Sequence, residues 1–200
     1  MAKNINPQTF IFIGRSGCGK GTQAKILIDY LKKLDSSRDS LYIQSGLEFR
    51  EFIKGDTTTQ KFSRSIYDKG ALQPEFLAVF MWVNVLINKY TAGEHLIFDG
   101  TPRRYHEAGA LDSIIDFYKL GKPNVLNIEI SREESIKRLL ARGRMDDKKE
   151  EVEERLSWFE TEVLPAISFY KDNPRYNYIL INGEQSEEKI HKDIVSRLAL

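Results

Sequence analysis

Short apolar runs alternate with longer amphipathic segments along the whole chain. The first run, residues 10–13, is continuously apolar and β-favouring, which is typical of a strand buried on both faces of a parallel sheet. Apolar positions then recur at largely helical spacing across 22–34, so the pattern predicts a helix shortly after that strand. Further apolar runs predict four more strands, at 41–43, 95–98, 125–130 and 178–181. The alternation of strands and helices indicates an α/β fold.

Helices are predicted in most of the intervals between these strands. Residues 45–52 follow the second strand directly, and 53–77 indicates short helices separated by Gly55 and by 70–74. The segment 74–89 is so strongly apolar that we assign its whole stripe to core packing. Helices are also predicted at 105–120, from the capping residue Ser131 onward, from Trp158 with an interruption at Pro165, and at 186–198.

The composition fits a single intracellular domain. Two hundred residues, of which 41% are hydrophobic and 30% charged, supply one sizeable core and too little chain for two ordinary domains. A formal charge of +1 gives no electrostatic reason to expect a nucleic-acid or membrane partner, and no apolar run approaches the roughly 18 residues of a membrane span. The single cysteine, Cys18, excludes an intrachain disulfide and a four-cysteine zinc site. We therefore expect a cytoplasmic protein.

A glycine-rich loop joins the first strand to the first helix. Its four glycines are Gly14, Gly17, Gly19 and Gly21. They remove Cβ atoms where backbone N–H groups can close around an anion, and Lys20 brings a positive charge to the same place. A plain turn is the alternative, but the GxxxxGK spacing falls between a strand and a helix, in the order that phosphate binding requires. Gly21 stands where Ser or Thr is usual, and the hydroxyl follows at Thr22.

The third predicted strand ends in an acidic residue, Asp99. A carboxylate at the end of a buried strand is costly unless it has a partner. In phosphate-loop folds that partner is the hydration shell of Mg²⁺, although a helix-capping role is the alternative. Arg103 lies just beyond and is expected to face the same crevice. After the second strand, the Ser-Gly pair at 45–46 starts a helix that carries Arg50 and offers another anion site, on weaker evidence.

Arginines cluster in the second half of the chain. Arg138 and Arg142 are four residues apart on one helix face, and Arg144 and Arg155 follow. Four converging guanidiniums would repel one another unless an anion lay between them, and their planar donors match the oxygens of a polyphosphate. The alternative is a solvated charged face that the aspartates at 146–147 and nearby glutamates neutralise. With a phosphate loop already predicted, we favour the polyphosphate.

Five ordered motifs resemble those of the adenylate kinase family and together cover nearly the whole chain. They are GRSGCGKGTQAK at 14–25, SGLEFR at 45–50, GALQPEFL at 70–77, DGTPRRYHEAGAL at 99–111 and RLLARGRMDD at 138–147. The resemblance implies a P-loop fold of three layers, with a five-stranded parallel sheet flanked by helices. It also implies a single domain over 1–200, with a monophosphate-binding insertion at about 45–74 and a short lid at about 138–150.

The resemblance also implies a role for each candidate residue. Lys20 bridges the β- and γ-oxygens of ATP, Arg138 stacks on the donor adenine, and Asp99 holds Mg²⁺ through water. Residues assigned to ATP are Gly17, Cys18, Gly19, Lys20, Gly21, Thr22, Arg138, Arg142 and Gln185. Residues assigned to the acceptor monophosphate are Ser45, Gly46, Arg50, Ala71, Leu72, Gln73, Gly100, Arg103, Glu107, Arg144 and Arg155. Catalytic charge compensation is assigned to Lys20, Arg103, Arg142, Arg144 and Arg155.

Two residues of the acceptor motif depart from the family pattern. Glu107 replaces a Gln that can both accept from adenine N6 and donate to N1, whereas a carboxylate keeps only the first contact. Thr101 replaces a Phe and removes apolar contact. Ser45 keeps the hydroxyl of the adenylate-type pattern, so we expect AMP, with UMP, CMP or GMP as the alternative acceptor. The remote alternative is a nucleotide-binding module without turnover. We expect a monomer.

Overall fold

A five-stranded, all-parallel sheet forms the centre of the molecule. The computed structural model describes residues 6–143 and 147–200. The strands are β1 (Thr9–Ile13), β2 (Ser40–Gln44), β3 (His95–Asp99), β4 (Asn124–Glu129) and β5 (Asn177–Asn182). They lie in the order β2-β3-β1-β4-β5, so β1 and its loop occupy the middle of the sheet. The predicted α/β fold with five parallel strands is confirmed.

Helices cover both faces of the sheet. They are α1 (Lys20–Leu34), α2 (Ser45–Phe52), α3 (Thr58–Tyr67), α4 (Glu75–Lys89), α5 (Tyr105–Tyr118), α6 (Arg132–Arg142), α7 (Lys149–Trp158), α8 (Leu164–Asp172) and α9 (Glu187–Leu198), with a π-helical turn at Phe159–Val163. The predicted helix at 105–120 ends two residues early, because Lys119 adopts a left-handed conformation at φ 54°. Within the described residues, no helix is long and apolar enough to cross a membrane.

Alternate residues of β1 feed two separate cores. Phe10 and Phe12 lie in one cluster with α1 and α9, whereas Ile11 and Ile13 lie in the other with α4, α5 and α8. All five residues of the strand are buried, which explains why its sequence is apolar without alternation. The core therefore lies in two layers, one on each side of the sheet.

Helix α4 is only partly a core helix, so the assignment of its whole apolar stripe to the core is wrong. Trp82 and Leu86 are fully buried against the sheet. On the other side, Phe76, Phe80 and Ile87 are 69%, 55% and 65% exposed. The physical reason is geometric, because a helix that packs on one sheet presents a single face to it.

The interruption predicted at Pro165 begins earlier, in the π-helical turn. The N–H of Leu164 donates to the carbonyl of Phe159, which closes a bond five residues apart instead of four. Pro165 then occupies the first turn of α8, where its missing N–H is tolerated. Phe159 and Val163 are buried in the sheet core, so the turn is held by packing.

Candidate active site

One cavity of about 540 Å³ opens at the carboxyl ends of β1, β2 and β3, where ligands bind in open α/β sheets. The predicted site residues that the structure describes all line it. They are the loop residues 17–22; Arg138, Arg142, Arg155 and Gln185; Ser45, Gly46, Arg50 and 71–73; and Asp99, Gly100, Arg103 and Glu107. Arg144 lies outside the described residues. The structure thus brings residues from seven separate stretches of sequence to one place.

The loop after β1 is shaped to present backbone N–H groups. Gly14 has φ 136°, and a Cβ there would lie 2.3 Å from the carbonyl oxygen of Ile128, so only glycine fits. Helix α1 begins at Lys20, and Gly19 before it supplies no side-chain cap. The N–H groups of the first turn therefore remain available to an anion.

Lys20 is folded back onto its own loop. Its Nζ donates to the carbonyl oxygens of Gly14, at 2.7 Å, and Arg15, at 3.0 Å. Cys18 is fully buried beneath the loop, within the core cluster that also contains Phe12 and Leu27. Any contact of Cys18 with a ligand is therefore made by its backbone and not by its thiol.

Asp99 lies at the end of β3 beside two donors from β2. Its Oδ2 accepts from the Tyr42 hydroxyl at 2.7 Å and from Gln44 Nε2 at 3.0 Å. Burial and the charge of Asp99 raise the pKa of Tyr42, so this hydroxyl remains a donor. A Cβ at position 21 would lie 3.1 Å from Asp99 Oδ2, so a side chain there would require the Asp99 carboxylate to shift.

Asp99 fits a Mg²⁺ ion that arrives with a nucleotide. Among the described residues, no group of three or more His, Cys, Asp or Glu side chains could enclose a metal. Mg²⁺ commonly binds through one or two carboxylates, several waters and substrate phosphates. A single buried carboxylate beside a phosphate loop is such a donor set, and it does not resemble a permanent metal cage.

The arginines are already partly compensated by carboxylates. Arg142 donates through Nε and Nη2 to both oxygens of Asp147, at 2.8 and 2.7 Å, and Arg155 Nη2 donates to Asp147 Oδ1 at 3.0 Å. Asp147 has no exposed side-chain surface. Arg138 pairs with Glu134 at 2.7 Å. The alternative considered from the sequence, in which nearby carboxylates neutralise the arginines, is therefore true in part. Asp147 compensates two of the arginines.

The cavity nevertheless carries an excess of positive charge. Seven cationic and three acidic side chains line it among the described residues. Arg50 has no hydrogen-bond or ion-pair partner within that part of the chain, although it is half-buried. A cationic cavity with an uncompensated guanidinium favours an anionic ligand.

Trp158 joins two of the segments that the sequence assigned to the acceptor. Its Nε1 donates to the carbonyl oxygen of Gly70 at 3.0 Å. The Arg103 guanidinium lies over its ring, 5.5 Å from the ring centre, and Arg103 Nε donates to the Gly100 carbonyl at 2.7 Å. Ser45 Oγ donates to the same carbonyl at 2.9 Å. These bonds fix the positions of Ser45, Gly100 and Arg103 relative to one another.

Glu107 is a buried carboxyl group without a salt bridge among the described residues. Its Oε2 accepts from the Arg103 N–H at 3.2 Å and, weakly, from Thr101 Oγ1 at 3.4 Å. Arg103 and Arg104 face it with positive charge and Glu75 with negative charge. Burial dominates and raises the pKa of Glu107, which favours the neutral carboxylic acid.

Sequence reasoning missed Tyr42, Gln44 and Trp158 as parts of the site, and it considered Asp147 only as part of a neutralised, solvated face. Tyr42 and Gln44 alternate along β2, and β2 pairs with β3 so that Gln44 lies beside Asp99. That alternation at a strand end was the only available signal for them. Trp158 had no local signal, because its role depends on contacts with residues far away in the chain.

Comparison with known proteins gives consistent matches. The family model described as "Adenylate kinase" matches residues 12–175. Adenylate kinase 1 of Nostoc sp. is 31% identical over 188 residues, which cover 94% of this chain and 97% of that protein. The adenylate kinase of Parabacteroides distasonis is 33% identical over 184 residues, covering 90% and 92%. That of Leptospira biflexa is 32% identical over 192 residues, covering 94% and 98%.

Proposed function

The chain belongs to the adenylate kinase family, and from that premise we propose that it catalyses the reversible, Mg²⁺-dependent transfer of the γ-phosphoryl group of ATP to AMP, giving two ADP. The observation that carries the proposal is the cavity that the glycine loop and the arginines line together from different elements. Phosphoryl transfer depends mainly on positioning and on compensation of charge, which this cavity can supply.

ATP occupies the half of the cavity formed by the loop after β1. Backbone N–H groups of 17–22 bind its β-phosphate, and Lys20 leaves the carbonyls of Gly14 and Arg15 to contact the β- and γ-oxygens. Arg138 and Gln185 lie on the adenine side. Glu134 and the Gly183 carbonyl hold the Arg138 guanidinium, at 2.7 and 2.9 Å, which sets its plane for stacking.

Asp99 is the residue that would hold Mg²⁺, through water, with Tyr42 and Gln44 fixing the orientation of its carboxylate. When bound, Mg²⁺ neutralises negative charge on the β- and γ-phosphates. Because Gly21 has no side chain, it leaves space beside Asp99 for the waters through which the carboxylate would hold the ion.

The acceptor occupies the half of the cavity between α2 and the loop after β3. Arg50 and Arg103 bind its phosphate, and backbone groups of 71–73 and Gly100 surround its base. Arg142 and Arg155 contact the transferred group from the other side, and the family resemblance assigns the same role to Arg144. In doing so, Arg142 and Arg155 exchange part of their contact with Asp147 for contact with phosphate oxygens.

No side-chain base is required, because the attacking phosphate oxygen is already anionic. What the protein must supply is exclusion of water, since water would otherwise accept the phosphoryl group. Closure of the insertion at about 45–74 and of the lid at about 138–150 provides it. The expectation that the protein acts as a cytoplasmic monomer stays a prediction.

The protonation state of Glu107 decides the acceptor base. A neutral carboxylic acid donates from its O–H and accepts at its carbonyl oxygen, so it can replace an amide opposite adenine N1 and N6. A carboxylate only accepts, which suits the two donors of guanine. The burial of Glu107 and the lack of a salt bridge to it within the described residues favour AMP, and GMP is the second candidate.

A coupled assay of the purified protein with ATP, Mg²⁺ and each of AMP, GMP, CMP and UMP tests the proposal. We expect AMP to be phosphorylated fastest, and two ADP to be converted to ATP and AMP. Lys20→Ala should lower kcat by about 100- to 1,000-fold without unfolding the chain. The matched control is Lys32→Ala, an exposed lysine on the same helix that pairs with Asp39. Faster phosphorylation of another monophosphate would contradict AMP as the acceptor, and binding without turnover would contradict the kinase.

A further inference from the structure

The π-helical turn contacts the donor loop through Arg15. The Arg15 guanidinium lies over the Phe159 ring, 4.3 Å from its centre, and Nη1 donates to Glu160 Oε1 at 2.6 Å. Phe159 and Glu160 are the first two residues of the turn. The carbonyl of Arg15 is one of the two that accept from Lys20 Nζ. Arg15 therefore contacts the π-helical turn through its side chain and Lys20 through its backbone carbonyl.

The same short stretch contacts the acceptor segments. Trp158 donates to the Gly70 carbonyl at 3.0 Å and stacks beneath Arg103. Glu162 accepts from Arg104 Nε at 2.8 Å, and Arg104 Nη1 donates to the Gln73 carbonyl at 2.8 Å. Within the stretch 158–162, Phe159 and Glu160 thus contact the donor loop, and Trp158 and Glu162 contact the acceptor segments.

The rotation along the helix places the two sets of contacts on different sides. In an α-helix, successive residues turn by about 100°, so residues two apart point in opposite directions. π-helical turns are rare and often lie at functional sites.

Resting on the proposed function, we propose that residues 158–162 act as a strut that sets the donor loop relative to the acceptor segments, with Arg15 and Glu160 as positioning residues for the loop that carries Lys20. The ion pair itself adds little stability, because Glu160 is 45% exposed and its charge is screened. Its effect lies in geometry, since displacement of reacting groups by about 1 Å can cost up to about 100-fold in rate.

The test is a double-mutant cycle on Arg15 and Glu160, in the full-length protein, with ATP, Mg²⁺ and AMP as substrates. Arg15→Met keeps most of the aliphatic stem and removes the guanidinium, and Glu160→Ala removes the carboxylate that accepts from it. We expect each change to lower kcat by about tenfold and to leave both KM values within about threefold. The double variant should lose no more than the worse single variant, because both changes break one contact.

Arg132→Met is the matched control, because it breaks the Arg132–Glu153 ion pair between α6 and α7, far from Lys20 in sequence. We expect its kcat to stay within about twofold of wild type. The strut is contradicted if Arg15→Met and Glu160→Ala lower kcat no more than this control, or if their effects multiply in the double variant. If Arg15→Met does not fold, Glu160→Ala alone carries the test, since it leaves the contact between Arg15 and Phe159 in place. A wild-type protein without turnover would refute the proposed function instead.

Discussion

The Glu107→Gln variant should be more stable than wild type, and this difference in the free energy of unfolding should grow as pH rises. Glu107 is only 3% exposed, and the donors that reach it are one backbone N–H at 3.2 Å and one hydroxyl at 3.4 Å. The positive charges of Arg103 and Arg104 reduce the cost of ionising it, but burial outweighs them and the pKa of Glu107 is raised from its ordinary value of 4.5. Gln has nearly the same shape and never ionises.

The sign of the effect follows from proton linkage. Between pH 4.5 and the raised pKa of Glu107, the folded state keeps a proton that the unfolded state has lost. Wild-type stability therefore falls as pH rises through this window, by up to about 1.4 kcal/mol per pH unit for this group, and is level above it. Below pH 4.5 both states are protonated and the contribution disappears. The variant E107Q does not lose stability in this way, because Gln does not ionise. The difference in the free energy of unfolding between E107Q and wild type should therefore grow with pH and then level off.

Urea denaturation of wild type and E107Q between pH 4.5 and 8.5 measures this difference directly. Glu51→Gln is the matched control, since Glu51 lies on the surface in an exposed pair with Lys54 and should shift stability by less than about 1 kcal/mol at any pH. In steady-state assays, the KM for AMP should rise with pH in wild type and stay level in E107Q. A stability difference that does not change with pH, or that changes in the opposite sense, would refute the raised pKa of Glu107.

Three further predictions concern positions around the cavity and the core. Asp147→Asn should lower the free energy of unfolding by about 2–4 kcal/mol, measured by urea titration, because the buried carboxylate that holds Arg142 and Arg155 loses its charge. Gly21→Ala should lower kcat by about tenfold in the coupled assay, because the new methyl lies 3.1 Å from Asp99 Oδ2, while the melting temperature holds or rises since alanine favours the helix. Leu27→Ala, at a fully buried position beneath the sheet, should lower the free energy of unfolding by about 2–5 kcal/mol, and an unchanged urea midpoint would contradict that packing.

The strands and most helices could be predicted because local patterns determine them. The run at 10–13 is apolar on both faces of the strand, and the observed β1 has both faces covered. Helix α4 shows the limit of this reasoning. Its sequence is apolar all round, and only the contacts of the folded molecule determine which face is buried. The π-helical turn was not predicted either, because no local pattern distinguishes it from a helix that ends before Pro165.

Residues of the cavity could be predicted where a local motif implies a binding mechanism. Residues whose contacts join distant parts of the sequence were missed. Lys20 and Asp99 stand at strand ends, so topology alone brings them to one edge of the sheet. The sequence allowed the alternative that carboxylates near Asp147 neutralise the arginines. It could not show that Asp147 bonds to both Arg142 and Arg155. The contacts of Trp158 with Gly70 and Arg103 join residues more than fifty positions apart, and a single sequence carries no record of them.

The central claim is that the glycine loop and the guanidiniums enclose one chain of phosphates from opposite sides. A crystal structure with an inhibitor in which one phosphate chain joins two adenosines measures this most directly. We predict that the chain runs from Lys20 past Asp99 to Arg50 and Arg103, with Arg142 and Arg155 in contact with its middle. A phosphate chain bound elsewhere, or these guanidiniums directed into bulk solvent in that complex, would contradict the account.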